Sequence, residues 1–418
     1  VGCWPVCRPA KKPDLPPNAW ANEREPACQR RAGPSSFGGS IAFGTTACLV
    51  YWLLLTPLAL LSCSSVPRIS ASGAIAGYAF SGHVDHVVAR DYLEGNELPA
   101  ELDAARGRLV FAAASPSRED LALLSRTYSP DVATLLFVEA LGGRADVREL
   151  RDRHSVEVEH VRRAGPESAR PSPPADLLVL MVPGWFYESH GDETNADFHI
   201  QRDLYRRWGI AHKLVPIEEN GTVFRNAQIV ADAVREASRR HRIFIVSASK
   251  SGAEVALALG LALSRDECRA VVGWLSIVGV IQGSPLVDQV VQSPALYPMV
   301  RIGFALQGHG MDGMRSMSAR LLRRAHQALS VPESIRKFAL IAVPLSGQVS
   351  ERAYSTYERL REFGPNDGLT LLADELMPGT VPLILPGTDH FLGPDDQRAW
   401  STALFRVLLN ELPQATGR

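Results

Sequence analysis

From Leu177 onward, short and continuously apolar runs alternate with helical patterns. The runs are Leu177–Val182, Lys213–Ile217, Ile243–Val246, Ala270–Ile277, Phe338–Val343 and Val381–Leu385. Runs this short with no polar alternation describe strands buried on both faces, which is the condition of a parallel sheet covered by helices. The intervening helical patterns lie near Phe198–Trp208, Asn226–Arg240, Ala253–Leu263, Glu351–Phe363 and Gln397–Leu412. Ligands of such sheets sit at the carboxyl ends of the strands, so the chemistry is expected there. A chain of 418 residues can hold one large α/β body and a smaller appendage. Its net charge of −1 gives no reason to expect nucleic acid or a polyanionic partner.

Before Leu177 the composition changes. "RAGPESARPSPPAD" (Arg163–Asp176) is rich in Pro and Ser and reads as a linker over 163–176. Residues 78–162 read as a small, mainly helical N-terminal region. Within it, Ser129–Gly143 carries a Ser cap, Pro at the first helical position and a Gly stop. His83 and His86 form an HxxH without a carboxylate pattern around them, so a solvated or packing pair is expected rather than a metal site. Residues 63–77, small and polar, read as a tether.

The first 62 residues read as a signal or leader region. Ile41–Ser65 is the most apolar stretch of the chain and follows Arg30 and Arg31. Its end, "LLSC" (Leu60–Cys63), resembles a bacterial lipobox. The resemblance implies lipidation at Cys63 and a membrane-anchored lipoprotein of the bacterial cell envelope, facing the periplasm or the exterior. A retained transmembrane anchor is the alternative. Five of the six cysteines lie at or before Cys63, leaving Cys268 alone in the body, so no disulfide framework is expected there.

"IFIVSASKSGAEVALALG" (Ile243–Gly260) joins a buried strand directly to a helix that is apolar nearly all round. Such a junction bends sharply and demands small residues two positions either side of its tip, as in the nucleophile elbow G-x-S-x-G. Of the three serines, Ser247 has Ile245 at −2, and Ser251 comes late. Ser249, flanked by Ser247 and Ser251 and followed by Gly252, fits best, with Ser in both glycine positions. A serine nucleophile needs a base and an acid. His390, after the last apolar run, is the candidate base, and chain order places the acid before it. Asp367 lies in the turn-forming stretch Gly-Pro-Asn-Asp-Gly, Asp374 in an apparent helix, and Asp389 beside the histidine; Asp367 is favoured.

Together these segments resemble the α/β-hydrolases of the bacterial lipase and esterase type. "VPGW" (Val182–Trp185) is similar to their oxyanion segment, though it lacks the usual His before the Gly. "NGTVFRNAQIVADAV", "SASKSG", "GSPLVD" (Gly283–Asp288), "NDGL" (Asn366–Leu369) and "DHF" are similar to further segments, and they occur in the same order. The resemblance covers residues 177–412 of a domain expected over 177–418, with a helical cap inserted at about 285–335. It implies an α/β-hydrolase fold, a Ser249–His390–Asp367 triad, and an oxyanion hole made by backbone N–H of Lys250 and of Trp185 or Phe186. The Lys250 side chain is expected to face along the helix or outward. Met311, Met314 and Met317 suit either a lid over an acyl pocket or ordinary packing. The implied activity is hydrolysis of a lipid or small acyl ester; a catalytically silent binding module of the same fold is the alternative. No cofactor or metal motif is present in the sequence.

Overall fold

The computed structural model describes residues 68–111, 116–165, 170–392, 397–410 and 412. The apolar leader and Cys63 lie outside the described residues. Among the described residues, no helix is long and apolar enough to cross a membrane.

The expected sheet is present. Strands β3 (Leu177–Val182), β4 (His212–Leu214), β5 (Arg242–Ala248), β6 (Val271–Ile277), β7 (Arg336–Val343) and β8 (Thr380–Pro386) form one sheet in the order β4-β3-β5-β6-β7-β8. Every neighbouring pair is parallel. All six apolar runs became strands, and β4 is short because Val215–Ile217 leaves the ladder.

Alternate residues of each strand serve opposite layers. Leu180, Val182, Ile243 and Ile245 pack with the helices Val223–Ala237 and Ser251–Leu257. Their neighbours Val179, Met181, Phe244 and Val246 pack with His199–Trp208 and Gln397–Asn410. Between β6 and β7 lie four helices, Pro285–Gln292, Leu296–Leu306, Asp312–Arg315 and Ala319–His326, at the place expected for a cap. Met311, Met314 and Met317 are buried in the first of these cores, so they fill space between helices.

Within the stretch expected as a tether, the described part is a strand and a turn. β1 (Ile69–Ile75) pairs antiparallel with β2 (Tyr78–Val84) across a two-residue turn, Ala76–Gly77, both with positive φ. The Ser-Ala-Ser-Gly-Ala run at the centre of β1 hid this strand, and at Gly73 the structure requires glycine: a Cβ there would sit 1.9 Å from the Leu93 carbonyl oxygen. His86 of the HxxH caps the Val87–Leu93 helix, its Nδ1 accepting from the Val88 N–H.

Residues 78–162 are mainly helical, as expected, yet they do not form a core of their own. The Ser129-capped helix Pro130–Gly142 lays Leu135, Leu136 and Phe137 into one cluster with Ala339, Ile341 and Val343 of β7 and Ile384 of β8. By strand register, this is the same sheet face that Val223–Ala237 covers elsewhere. The helix Ala145–Ala164 runs against Gln397–Asn410 on the other side. The 163–176 segment therefore links two parts of one layered body.

Candidate active site

The carboxyl ends of β3, β5 and β8, with the loop that follows β7, converge on one pocket. β5 ends at Ala248, and the next helix begins at Ser251, leaving Ser249 at the tip of the bend. Ser249 has φ +54°. A non-glycine residue held there costs about 1–2 kcal/mol. The strain is opposed by three hydrogen bonds: Ser249 N–H donates to Ile277 O, and Ser249 O accepts from Gly252 N–H and Val280 N–H.

The two flanking serines are explained by the same geometry. Neither Ser247 nor Ser251 has positive φ, so glycine's conformational freedom is not needed at either position. Ser247 Oγ, fully buried, accepts from the Trp274 indole N–H at 2.9 Å. Ser251 Oγ lies 2.8 Å from the carbonyls of Val182 and Ala248 and accepts from Ala248 N–H. These hydroxyls tie β3, β5 and β6 together beneath the bend. The crowded neighbour is Gly252, where a Cβ would come within 3.0 Å of the Gly279 Cα.

Ser249, His390 and Asp367 form one hydrogen-bonded chain. Ser249 Oγ is 2.9 Å from His390 Nε2, and His390 Nδ1 is 2.5 Å from Asp367 Oδ2. Asp367 is fully buried, and its other oxygen accepts the N–H groups of Leu369 and Thr370, each at 2.8 Å. The His390 N–H donates to the Asp367 carbonyl at 2.9 Å, fixing the two loops to each other. The other carboxylates are engaged elsewhere. Asp389 accepts from Ser350 and Phe391 N–H. Asp374 is paired with Arg118 and Arg323; burial raises its pKa against the lowering effect of those two guanidinium groups.

Beside Asp367 and Asp374 lies a group the sequence did not single out. Glu375 is fully buried, and neither carboxyl oxygen has a hydrogen-bond partner among the described residues. Burial, reinforced by the charges of Asp367 and Asp374, raises its pKa well above the ordinary carboxyl value.

Lys250 departs from expectation. Its side chain is 2% exposed and paired with Glu254, one turn along the same helix. Burial raises the pKa of Glu254, and Lys250 opposes that shift. The i, i+4 spacing reads as a solvated surface pair in sequence; here both residues lie on the inward face.

The pocket, about 140 Å³, is mainly apolar. Trp185 and Phe186 stack at 4.6 Å on one side, backed by Phe304 of the inserted helices. Phe198, Phe391, Leu392 and Trp400 line the other, with Ser249 and His390 among the lining residues. Phe186 has φ +56° and caps the Tyr187–Thr194 helix, while Lys250 caps Ser251–Leu257, so two helix N-termini begin at this pocket. No candidate metal-binding cluster occurs among the described residues.

No protein-family model and no curated protein matches the chain. Among solved structures, a metagenomic carboxyl esterase, MGS0156, is similar at 22% identity, covering 58% of this chain and 78% of its own, with a TM-score of 0.48. The mature lipase BlEst2 of Bacillus licheniformis is 19% identical, covering 57% and 94%, with a TM-score of 0.45. Lipase 1 of Pelosinus fermentans is 11% identical, covering 59% and 100%, with a TM-score of 0.41. The six-stranded parallel order β4-β3-β5-β6-β7-β8, with a strand–bend–helix junction after β5 and the cap between β6 and β7, gives this chain an α/β-hydrolase fold.

Proposed function

We propose that the chain is a serine hydrolase that cleaves carboxylic esters, with Ser249 as nucleophile, His390 as base and Asp367 as the orienting acid. The observation that carries this reading is the continuous hydrogen-bonded chain from Ser249 Oγ through His390 to Asp367, opening into an apolar pocket. In the proposed reaction His390 Nε2 takes the Ser249 proton as Oγ attacks the ester carbonyl. The new oxyanion is held by backbone N–H of Lys250 and of Phe186 or Trp185, which stabilises the tetrahedral intermediate by a few kcal/mol. Its collapse breaks the C–O bond, and His390 returns the proton to the departing alkoxide. A water, deprotonated by His390, then releases the acid from the acyl-enzyme. Asp367 keeps its charge throughout and stabilises the imidazolium.

The pocket is comparable with a cavity of about 150 Å³ that holds benzene. Its size and apolar lining support a small acyl group. The leader and lipobox-like end support a further proposal: that the enzyme is lipid-anchored at Cys63 on the bacterial cell envelope, where it meets small or lipid esters.

A fluorophosphonate probe tests the hydrolase reading. Wild type should be labelled at Ser249 and hydrolyse a short-chain p-nitrophenyl ester. Ser249→Ala should do neither, while Ser247→Ala should still label. A wild-type chain that folds and resists the probe would favour the silent binding module.

A further inference from the structure

The buried ion pair behind Ser249 belongs to a larger hydrogen-bonded assembly. Lys250 Nζ donates to Glu254 Oε1, and the same oxygen accepts from Asn226 Nδ2 at 2.8 Å. Asn226 is fully buried and holds the Glu218 backbone from both sides: its Oδ1 accepts the Glu218 N–H at 3.0 Å, and its Nδ2 donates to the Glu218 carbonyl at 2.9 Å. The segment so fixed reaches back to the loop after β3. Asn220 Oδ1 accepts from the Trp185 indole N–H at 3.1 Å, and the Ile217 carbonyl accepts from Tyr187 Oη at 3.0 Å. These contacts bracket Phe186. A chain of polar contacts therefore runs from the residue after the nucleophile to the residues flanking Phe186.

We infer that Lys250, Glu254 and Asn226 are positioning residues that set the separation of the two backbone donors of the oxyanion hole, one from Lys250 and one from the Trp185–Phe186 turn. The inference rests on the serine-hydrolase reading above. Two independently folded segments supply these donors, one after β3 and one after β5. β3 and β5 are direct neighbours, but their hydrogen-bond register ends at Val182 and Ser247. Beyond that point the ladder no longer fixes the distance between the two loops, and the Lys250–Glu254–Asn226 chain spans the gap. An apolar trio of similar volume would fill the space without fixing either end. The charge of the pair is secondary: Glu254 needs to accept from both Lys250 and Asn226, which a neutral amide oxygen can also do.

The test uses Lys250→Met, Asn226→Leu, their double variant, and Glu254→Gln. Rates are measured on a short-chain p-nitrophenyl ester and divided by the concentration of sites titrated with a fluorophosphonate, so that unfolded protein drops out. A misplacement of about 1 Å at a reacting centre costs on the order of 100-fold. Lys250→Met and Asn226→Leu should each lower kcat by about 10- to 100-fold with KM little changed, because the donors act on the transition state. The double variant should be no worse than the poorer single variant, as for residues acting through one chain. Glu254→Gln should retain most of kcat. Wild-type kcat in Lys250→Met and Asn226→Leu at full titration would overturn the inference and leave the hydrolase reading intact. Independent, multiplicative losses in the double variant would also overturn it. A wild-type protein that neither labels nor hydrolyses would overturn both.

Discussion

Replacing Asp367 by Asn changes one atom and reverses the direction of a proton. Asp367 Oδ1 is held by two backbone donors, Leu369 N–H and Thr370 N–H, at 2.8 Å each. An amide nitrogen cannot accept those bonds, so in Asp367→Asn the amide oxygen must keep the Oδ1 position. The NH₂ group then falls where Oδ2 stood, 2.5 Å from His390 Nδ1 in the wild type. It donates to Nδ1, which forces the imidazole proton onto Nε2. That proton faces Ser249 Oγ, and His390 can no longer act as base toward it. The variant also loses the negative charge that stabilises the imidazolium. Loss of the correct tautomer at such a site lowers kcat by about 10⁴-fold, or about 5 kcal/mol of transition-state stabilisation. Folding stability should change by less than about 1 kcal/mol, since each buried polar atom retains a partner. The assay is kcat on a short-chain p-nitrophenyl ester, with a thermal melt on the same preparation. A kcat within about tenfold of wild type would refute both the tautomer argument and the assignment of the acid.

Glu375 should make stability fall with rising pH. Its folded pKa is raised, so between the unfolded value near 4.5 and the folded one the native state binds the extra proton, and stability is lost as pH climbs through that window. Glu375→Gln should flatten the pH dependence of Tm from pH 5 to 8, and an unchanged slope would count against it. Leu136→Ala should cost about 2–5 kcal/mol in a urea melt, because Leu136 is buried where the Pro130–Gly142 helix packs on β7 and β8. Cys63→Ala should leave an unprocessed, unacylated precursor. Intact-mass measurement of membrane-extracted wild type should find a species beginning at acylated Cys63; a chain retaining the apolar leader would point to a transmembrane anchor instead.

Much of this architecture is legible in the sequence because parallel strands leave a simple trace. Apart from the short, part-exposed β4, these strands are apolar runs buried on both faces over most of their length. Ser249, Asp367 and His390 were findable because they sit where such strands give way to turns, in the order the fold demands. Three features were not legible, for separate reasons. β1 has Ile only at its two ends, and the Ser-Ala-Ser-Gly-Ala run between them lacks the β-branched and aromatic residues that announce a strand; at Gly73 a neighbouring carbonyl leaves no room for a side chain. Lys250 and Glu254 have the spacing of an exposed helical pair, and only the packing of Val223–Ala237 against their helix puts them inside. Glu375 looks like any acid on the outer face of a short helix until burial deprives it of donors.

The placement of the Pro130–Gly142 helix bears on where this chain can be cut. Each residue of the proposed triad lies after Leu177, and the Pro/Ser-rich stretch at 163–176 invites a truncation there. Ser249 would survive it, since its strand rests on Val223–Ala237 and Ser251–Leu257. His390 and Asp367 would not be so protected. β7 and β8, which lead into their loops, would lose the layer over Ala339, Ile341, Val343 and Ile384. Asp131 of that same helix also holds the loop after β7, accepting from Ser346 N–H and Oγ. The proposed triad thus depends on a longer piece of chain than its own residues span. An excised body beginning at residue 177 should keep its nucleophile in place while its acid and base drift from it.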